Sequence, residues 1–343
     1  MKVLFFTYPA ALQVTGGGTV QLLKTKEYLE KLGVSVKLFD QWKDKISDYD
    51  LIHIFSVHSD TLKFLEFVKS INKPVAISTI FWPLDEFAKR EKQLKSKEKF
   101  KILTKSLIDK YLTALSPTKS ILDLADILLP NGIAEREIII EIFGTKRSKF
   151  IVVPNGVDKK FANASSKEFE RRYGLKDFVL SVGKLGPRKN QLGLIRALKN
   201  EDIPLVFIGD VSDVSYLKLC KKEASKNANI HFLGLLKNES LLMSAYAACK
   251  VFALPSWYET PGLSALEAGL TGANVVITEK GATKEYFKNY SWYVDSDNVE
   301  DIKEKVLQAL NSKKTRKLAT HILKNFTWEK VAKKTLEAYK KIT

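Results

Sequence analysis

The stretch Val251-Phe252-Ala253-Leu254-Pro255-Ser256-Trp257-Tyr258-Glu259-Thr260-Pro261-Gly262-Leu263-Ser264-Ala265-Leu266-Glu267-Ala268 decides the fold. Its first four residues are apolar without interruption, which suits a strand covered on both faces rather than one half in water. A Pro-rich turn follows, and an apolar run then resumes behind Pro261 and Gly262, where a helix can start. Strand, turn and helix in so few residues is the building unit of a parallel sheet.

The same succession recurs on both sides of this stretch. Downstream and upstream of it, Val179 to Val182, Leu205 to Ile208, Ile230 to Leu233 and Asn274 to Thr278 read as strands separated by helical stretches. In the first half the candidates are Lys2 to Thr7, Val34 to Phe39, Leu51 to Phe55, Pro74 to Ile80, Ile127 to Pro130 and Phe150 to Val153. Thr19 is the expected N-cap of the first helix, with Gly33 closing it. The turn cluster Pro154-Asn155-Gly156-Val157-Asp158 marks the junction of the halves. The expectation is an α/β protein of two doubly wound, Rossmann-like domains facing a central cleft: 1–155, 156–326, and a last helix over 327–343 returning to the first domain. Ligands of such sheets bind at the carboxyl ends of the strands.

Composition narrows the class. The chain has 343 residues, 45% hydrophobic and 28% charged, enough apolar side chain for two cores and too much for disorder. Its two cysteines, Cys220 and Cys249, make neither a disulfide framework nor a zinc site and point to a reducing compartment. The apolar start Met1 to Pro9 is too short for a secretory segment, and no run of about 18 apolar residues is present for a spanning helix. The expected location is cytoplasmic, peripheral at the inner membrane face. Net charge is +17, and 48 of the 56 basic residues are Lys, a poor match for nucleic-acid readers that rely on Arg forks. The excess is clustered: residues 89–119 hold ten Lys/Arg against three Asp/Glu, and 303–343 hold twelve against three. Solvated helix faces account for such runs; the functional reading is attraction to an anionic surface. Phe81, Trp82, Leu84 and Phe87 stand just before the first cluster as an aromatic patch suited to a lipid interface.

Chemistry concentrates after three strands. Gly17 and Gly18, in the run Gly16-Gly17-Gly18-Thr19, let backbone amides approach an anion at a helix start, although no P-loop lysine follows. Gly183-Lys184-Leu185-Gly186-Pro187-Arg188-Lys189-Asn190 sets three cations, Lys184, Arg188 and Lys189, in a glycine-containing loop, which suits a diphosphate. In the opening stretch Glu259 lies in the loop and Glu267 about 7–8 Å along the helix from Gly262 at 1.5 Å per residue. Between them the amides of Gly262, Leu263 and Ser264 form an anion site. A sugar nucleotide fits: diphosphate on amides and lysines, ribose on one carboxylate, sugar hydroxyls on the other. Asp295-Ser296-Asp297 spells a metal-ligating Asp-x-Asp, but before a helix start near Val299 these residues are ordinary caps, and no metal is expected.

Together the Glu-x7-Glu segment, the Gly183 to Gln191 loop, the Pro154 to Asp158 junction and the glycine turn resemble the retaining family-4 (group 1) glycosyltransferases of GT-B fold. The resemblance implies that Glu267 binds the ribose hydroxyls, that Glu259 contacts the donor sugar and acts in catalysis, and that Lys189 holds the diphosphate. Lys184 stands where the family has Arg, exchanging a planar fork for a point charge, with Arg188 beside it. The family's sugar-side His in a Thr-x-His context has no counterpart in Ser78-Thr79-Ile80-Phe81-Trp82-Pro83, which leaves His53, an in-strand residue, and His58 as the first-domain candidates. The implied reaction is transfer of a sugar from a UDP- or GDP-linked donor to an acceptor hydroxyl of a glycan or lipid-linked acceptor, with retention, no metal and no other cofactor. Two other readings use the same residues: a sugar-nucleotide epimerase or hydrolase, which needs a cleft acid–base pair, and a basic membrane- or polyanion-binding module with a decayed site.

Overall fold

The computed structural model describes residues 1–13, 16–83, 88, 96–112 and 115–343. The chain forms two compact units: one from the described residues of Met1–Gly156 together with Trp328–Thr343, the other from Val157–Thr327.

The first unit holds five parallel strands, β1 (Lys2–Thr7), β2 (Ser35–Leu38), β3 (Leu51–Phe55), β4 (Val75–Ser78) and β5 (Ile127–Leu128), in the order β2-β1-β3-β4-β5. Leu4, Ile52, Ile54 and Ile77 from the sheet pack with Leu65, Val68, Ile121, Leu122 and Ile139 from helices, all buried. Burying each such side chain is worth about 1.5–3 kcal/mol before entropy is counted. Phe150–Val153 is not a strand: Phe150 makes a single parallel bridge to Leu128, and the Ile151 and Val153 amides donate to the Leu128 and Pro130 carbonyls, each at 2.9 Å, without a continued ladder. Thr19 is not the cap of the first helix, Gly17–Glu30, which starts behind an extended Gly16; the Thr19 hydroxyl instead donates to the Ala11 carbonyl at 2.9 Å. The last helix, Trp328–Tyr339, packs on Gly17–Glu30, and its buried residues include Trp328, Val331, Thr335 and Tyr339.

The second unit holds six parallel strands, β6 (Val179–Val182), β7 (Leu205–Ile208), β8 (Ile230–Gly234), β9 (Val251–Leu254), β10 (Asn274–Thr278) and β11 (Trp292–Val294), ordered β11-β10-β9-β6-β7-β8. From β6 the chain steps outward to β7 and β8, then returns to lay β9 on the other side of β6. The loops after β6 and β9 therefore diverge at a switch point, the crevice where open sheets of this kind accept ligands. Chain entry and exit are adjacent, since Val157 pairs with Thr327 in a parallel bridge and its amide donates to the Phe326 carbonyl at 2.9 Å.

Candidate functional site

The loop after β6 is anchored before it carries any charge. The Gly183 amide donates to Ile208 at 3.0 Å and the Leu185 amide to Asp210 at 2.8 Å. A single 3-10 turn, Pro187–Lys189, ends at Asn190, held at φ +53°. The Asn190 Oδ1 caps the helix Gln191–Leu198 through the Gly193 amide, and its Nδ2 donates to the Ser296 carbonyl at 2.9 Å. An Asn just before an apolar run is a cap signal legible in sequence, and this one fixes the lysine beside it.

The loop after β9 is stitched to the first. Lys189 Nζ donates to Glu259 Oε1 at 2.5 Å, and the Arg188 guanidinium donates to the Tyr258 carbonyl at 2.9 Å while standing 3.6 Å from the same carboxylate oxygen. The Trp257 amide donates to the Arg188 carbonyl at 3.0 Å. Glu259, 5% exposed, is also pinned by its backbone: its amide donates to Lys280 and its carbonyl accepts from Ala282 at 3.0 Å. This approach needs Gly281, at φ +98°, where an added Cβ would lie 2.1 Å from the Glu259 carbonyl oxygen. Burial alone would push the Glu259 carboxyl up, but the Lys189 and Arg188 cations outweigh it and hold it below its ordinary value. Burial pushes the Lys189 ammonium down, with Glu259 opposing.

Beside this pair begins the helix Leu263–Thr271, behind a cis Thr260–Pro261 peptide and Gly262 at φ +85°. Among the described residues nothing accepts from the amides of Gly262, Leu263 or Ser264. The Glu259 carboxylate is adjacent, since a Cβ on Gly262 would meet its Oε2 at 3.5 Å. The Ser264 hydroxyl donates to the Val182 carbonyl at 3.0 Å, tying the helix start to the end of β6. The structure thus brings Arg188, Lys189, Glu259 and the Gly262–Ser264 amides together. Lys184, half-buried in the same loop, forms no ion pair among the described residues.

Glu267, just over one turn into that helix, has different partners. Its Oε2 accepts from the Tyr246 hydroxyl at 2.7 Å, and burial pushes its carboxyl up to about 7, against the Tyr246 hydrogen bond. Tyr246, fully buried on the helix Glu239–Ala248, and Gly281 had no local sequence signal, because each meets its carboxylate only through tertiary packing.

Asp295 and Asp297 face Lys280 at 3.8 and 3.5 Å, the cap of the next helix is Asn298, and no cluster of three His, Cys, Asp or Glu suited to a metal exists among the described residues. In the first unit, Gly17 and Gly18 open the first helix, and Gly18 lies against Ile80. His53 is 1% exposed, its Nδ1 2.6 Å from the Tyr339 hydroxyl and its Nε2 2.9 Å from Ser78 Oγ; burial lowers it to about 3. His58 is exposed, its ring stacked on Tyr8 at 4.8 Å. Of the four residues of the expected aromatic patch, Phe81 packs on Phe143 at 5.6 Å and with Trp82 lines a cavity of about 100 Å³ shared with Ile102, Lys105 and Asp109. Leu84 and Phe87 lie outside the described residues.

The two parallel sheets define the class, a GT-B α/β protein, as comparison with solved structures bears out. Anabaena HepE in complex with UDP and glucose superposes with a TM-score of 0.75 over 99% of this chain and 100% of that one, at 17% identity. Residues 163–326, within the second unit, match the family model for glycosyl transferases group 1. The O-antigen chain mannosyltransferase B of Escherichia coli is 27% identical over 237 residues, 64% of this chain and 61% of that protein. The N-acetylgalactosamine-N,N'-diacetylbacillosaminyl-diphospho-undecaprenol 4-alpha-N-acetylgalactosaminyltransferase of Campylobacter jejuni is 30% identical over 218 residues, 62% of this chain and 57% of that protein. The chain thus spans about three fifths of the length of these relatives. No helix among the described residues is long and apolar enough to cross a membrane.

Proposed function

We propose that the chain transfers a sugar from a UDP- or GDP-linked donor to the hydroxyl of a glycan or lipid-linked acceptor, with retention and without a metal ion. The observation that carries this is the convergence of Lys189 and Arg188 on Glu259 at a helix start, at the switch point of the second sheet. The names of the two relatives, both sugar transferases and one acting on a diphospho-undecaprenol substrate, agree with it, as does the UDP and glucose held by the structural neighbour.

In this reading the donor diphosphate lies on Lys184, Arg188, Lys189 and the Gly262–Ser264 amides. These fixed donors carry the charge that develops on the leaving phosphate, which takes up the acceptor proton on the same face. Glu259 meets the sugar hydroxyls, and its hold on Lys189 keeps the ammonium aimed before the donor arrives. Glu267 accepts from the ribose hydroxyls, with Tyr246 orienting it. The protein works from the cytoplasm, peripheral at the inner membrane face.

The test is calorimetric titration with UDP, GDP, ADP and their sugars. One nucleotide should bind selectively, and Glu267→Ala should weaken it roughly 10- to 100-fold, the worth of a charge-assisted hydrogen bond. Unchanged affinity removes the ribose assignment, and binding of none of the nucleotides removes the function. Full activity in excess EDTA is expected; its loss would remove the metal-free mechanism.

A further inference from the structure

An exposed apolar surface in the first unit lies on one helix, Ser96–Tyr111. Phe100 is 72% exposed, Leu107 56% and Tyr111 77%. At 3.6 residues per turn these three fall within about 40° of one another on the helix surface, so they form one stripe. Leu112 and Leu115, both exposed, extend it past the helix end. The opposite face is the one that packs inward: Asp109 is buried against Ser116, and Ile102 lines the cavity beside Trp82. The stripe is therefore not a core face turned out by chance.

Charge says what covers it. Lys97 and Lys101, both exposed, follow one edge of the stripe, and Lys99 and Lys110 the other, while Lys105 belongs to the face that carries Asp109 and the cavity beside Trp82. The carboxylate of Asp109 is on the far side. An apolar strip between two rows of lysines, with long aliphatic stems that can lie along acyl chains, matches a bilayer rich in anionic headgroups. A protein partner would need a row of carboxylates on each side of an apolar groove, and a second copy of this chain would set lysines against lysines.

We propose that the helix Ser96–Tyr111 is the membrane-docking element of this protein, lying in the plane of an anionic lipid surface with Phe100, Leu107 and Tyr111 in the acyl boundary. This rests on the peripheral location in the proposed function and gives it a definite surface. Retention of the lipid-linked acceptor's own membrane would then be the helix's task, while donor chemistry stays in the second unit.

The experiment is flotation of the full chain with vesicles of pure phosphatidylcholine and of phosphatidylcholine with phosphatidylglycerol. The expected result is binding to the anionic vesicles alone, weakened by salt. Phe100→Ser/Leu107→Ser and, separately, Lys97→Gln/Lys101→Gln should each reduce the bound fraction at least 10-fold. All substituted side chains are exposed, and nucleotide titration on the same variants, expected unchanged, checks that the protein is folded. Failure of the unsubstituted chain to bind anionic vesicles overturns both the docking helix and the peripheral location, leaving the transferase reading intact. Binding that survives both variants overturns the helix alone, and concentration-dependent dimerisation abolished by Phe100→Ser/Leu107→Ser assigns the stripe to a second copy instead.

Discussion

The two sheets offer the same crevice and fill it with different chemistry. In the second unit the strands flanking the switch point are β6 and β9, and their loops carry Lys184, Arg188, Lys189 and a buried Glu259. In the first unit β1 and β3 occupy the equivalent places, and the described parts of their loops present Tyr8 stacked on His58, Ser56 at φ +90°, and no Lys or Arg. Two buried titratable groups of the first unit are satisfied internally. Glu135, fully buried, accepts from the Thr79 hydroxyl and from the amides of Phe81 at 2.8 Å and Asn131 at 2.9 Å. His53 sits neutral between Ser78 and Tyr339. Topology supplies a crevice in each unit; the loop residues decide whether it suits an anion or a neutral hydroxylic surface.

Breaking the charged side should have the largest effect. Lys189→Ala leaves the buried Glu259 carboxylate only the more distant Arg188 guanidinium, so the loss of stability should approach about 3–5 kcal/mol, the cost when a buried pair loses one member. The same change removes a phosphate contact, so kcat/KM should fall at least about 100-fold. Chemical denaturation and initial rates measure both, and a variant within 1 kcal/mol of the parent contradicts the buried pair.

The neutral side responds to acid. His53 has its pKa lowered to about 3 in the folded protein against an ordinary 6.5, so as pH falls from 6.5 the unfolded chain takes a proton the native one refuses. Stability is therefore lost on acidification, by about 2 kcal/mol between pH 6.5 and 5. His53→Gln, which can keep both hydrogen bonds, should flatten that slope in urea unfolding at several pH values; a profile parallel to the parent's contradicts the assignment.

Glu267 should slope the other way, more gently. Its folded value near 7 lies above the ordinary 4.5, so the native state prefers the proton and stability falls as pH rises from about 4.5 through 7. Glu267→Gln should gain on the order of 1 kcal/mol over the parent at pH 8 and lose that advantage near pH 5. A gap that does not vary with pH refutes the raised carboxyl.

Much of the frame was legible because buried parallel strands advertise themselves. Leu205–Ile208 and Val251–Leu254 are continuous apolar runs, Leu51–Phe55 and Val179–Val182 are each broken by one polar residue, Asn274–Thr278 is apolar between its ends, and the observed strands have those bounds. Edges were less legible: β11 is three residues at the rim, and Phe150 to Val153 looked like a strand yet pairs at one point. Gly16 displaced Thr19 as the start of the first helix because the Thr hydroxyl found a partner in the preceding turn. At the site, the cations and carboxylates stood out as residue types at strand ends. Their couplings did not: Lys189 to Glu259 spans 70 residues and Tyr246 to Glu267 spans 21, and no local pattern encodes such meetings.

The path of the backbone has a practical corollary. Because Trp328–Thr343 completes the first unit and Val157 lies beside Thr327, the second unit is a guest spliced into its host at two neighbouring points. Dissecting the protein by a cut near residue 156 would leave the host without Tyr339 and the helix that carries it. Deleting the guest and rejoining Gly156 to Trp328 through a short tether is the arrangement that should yield an intact host.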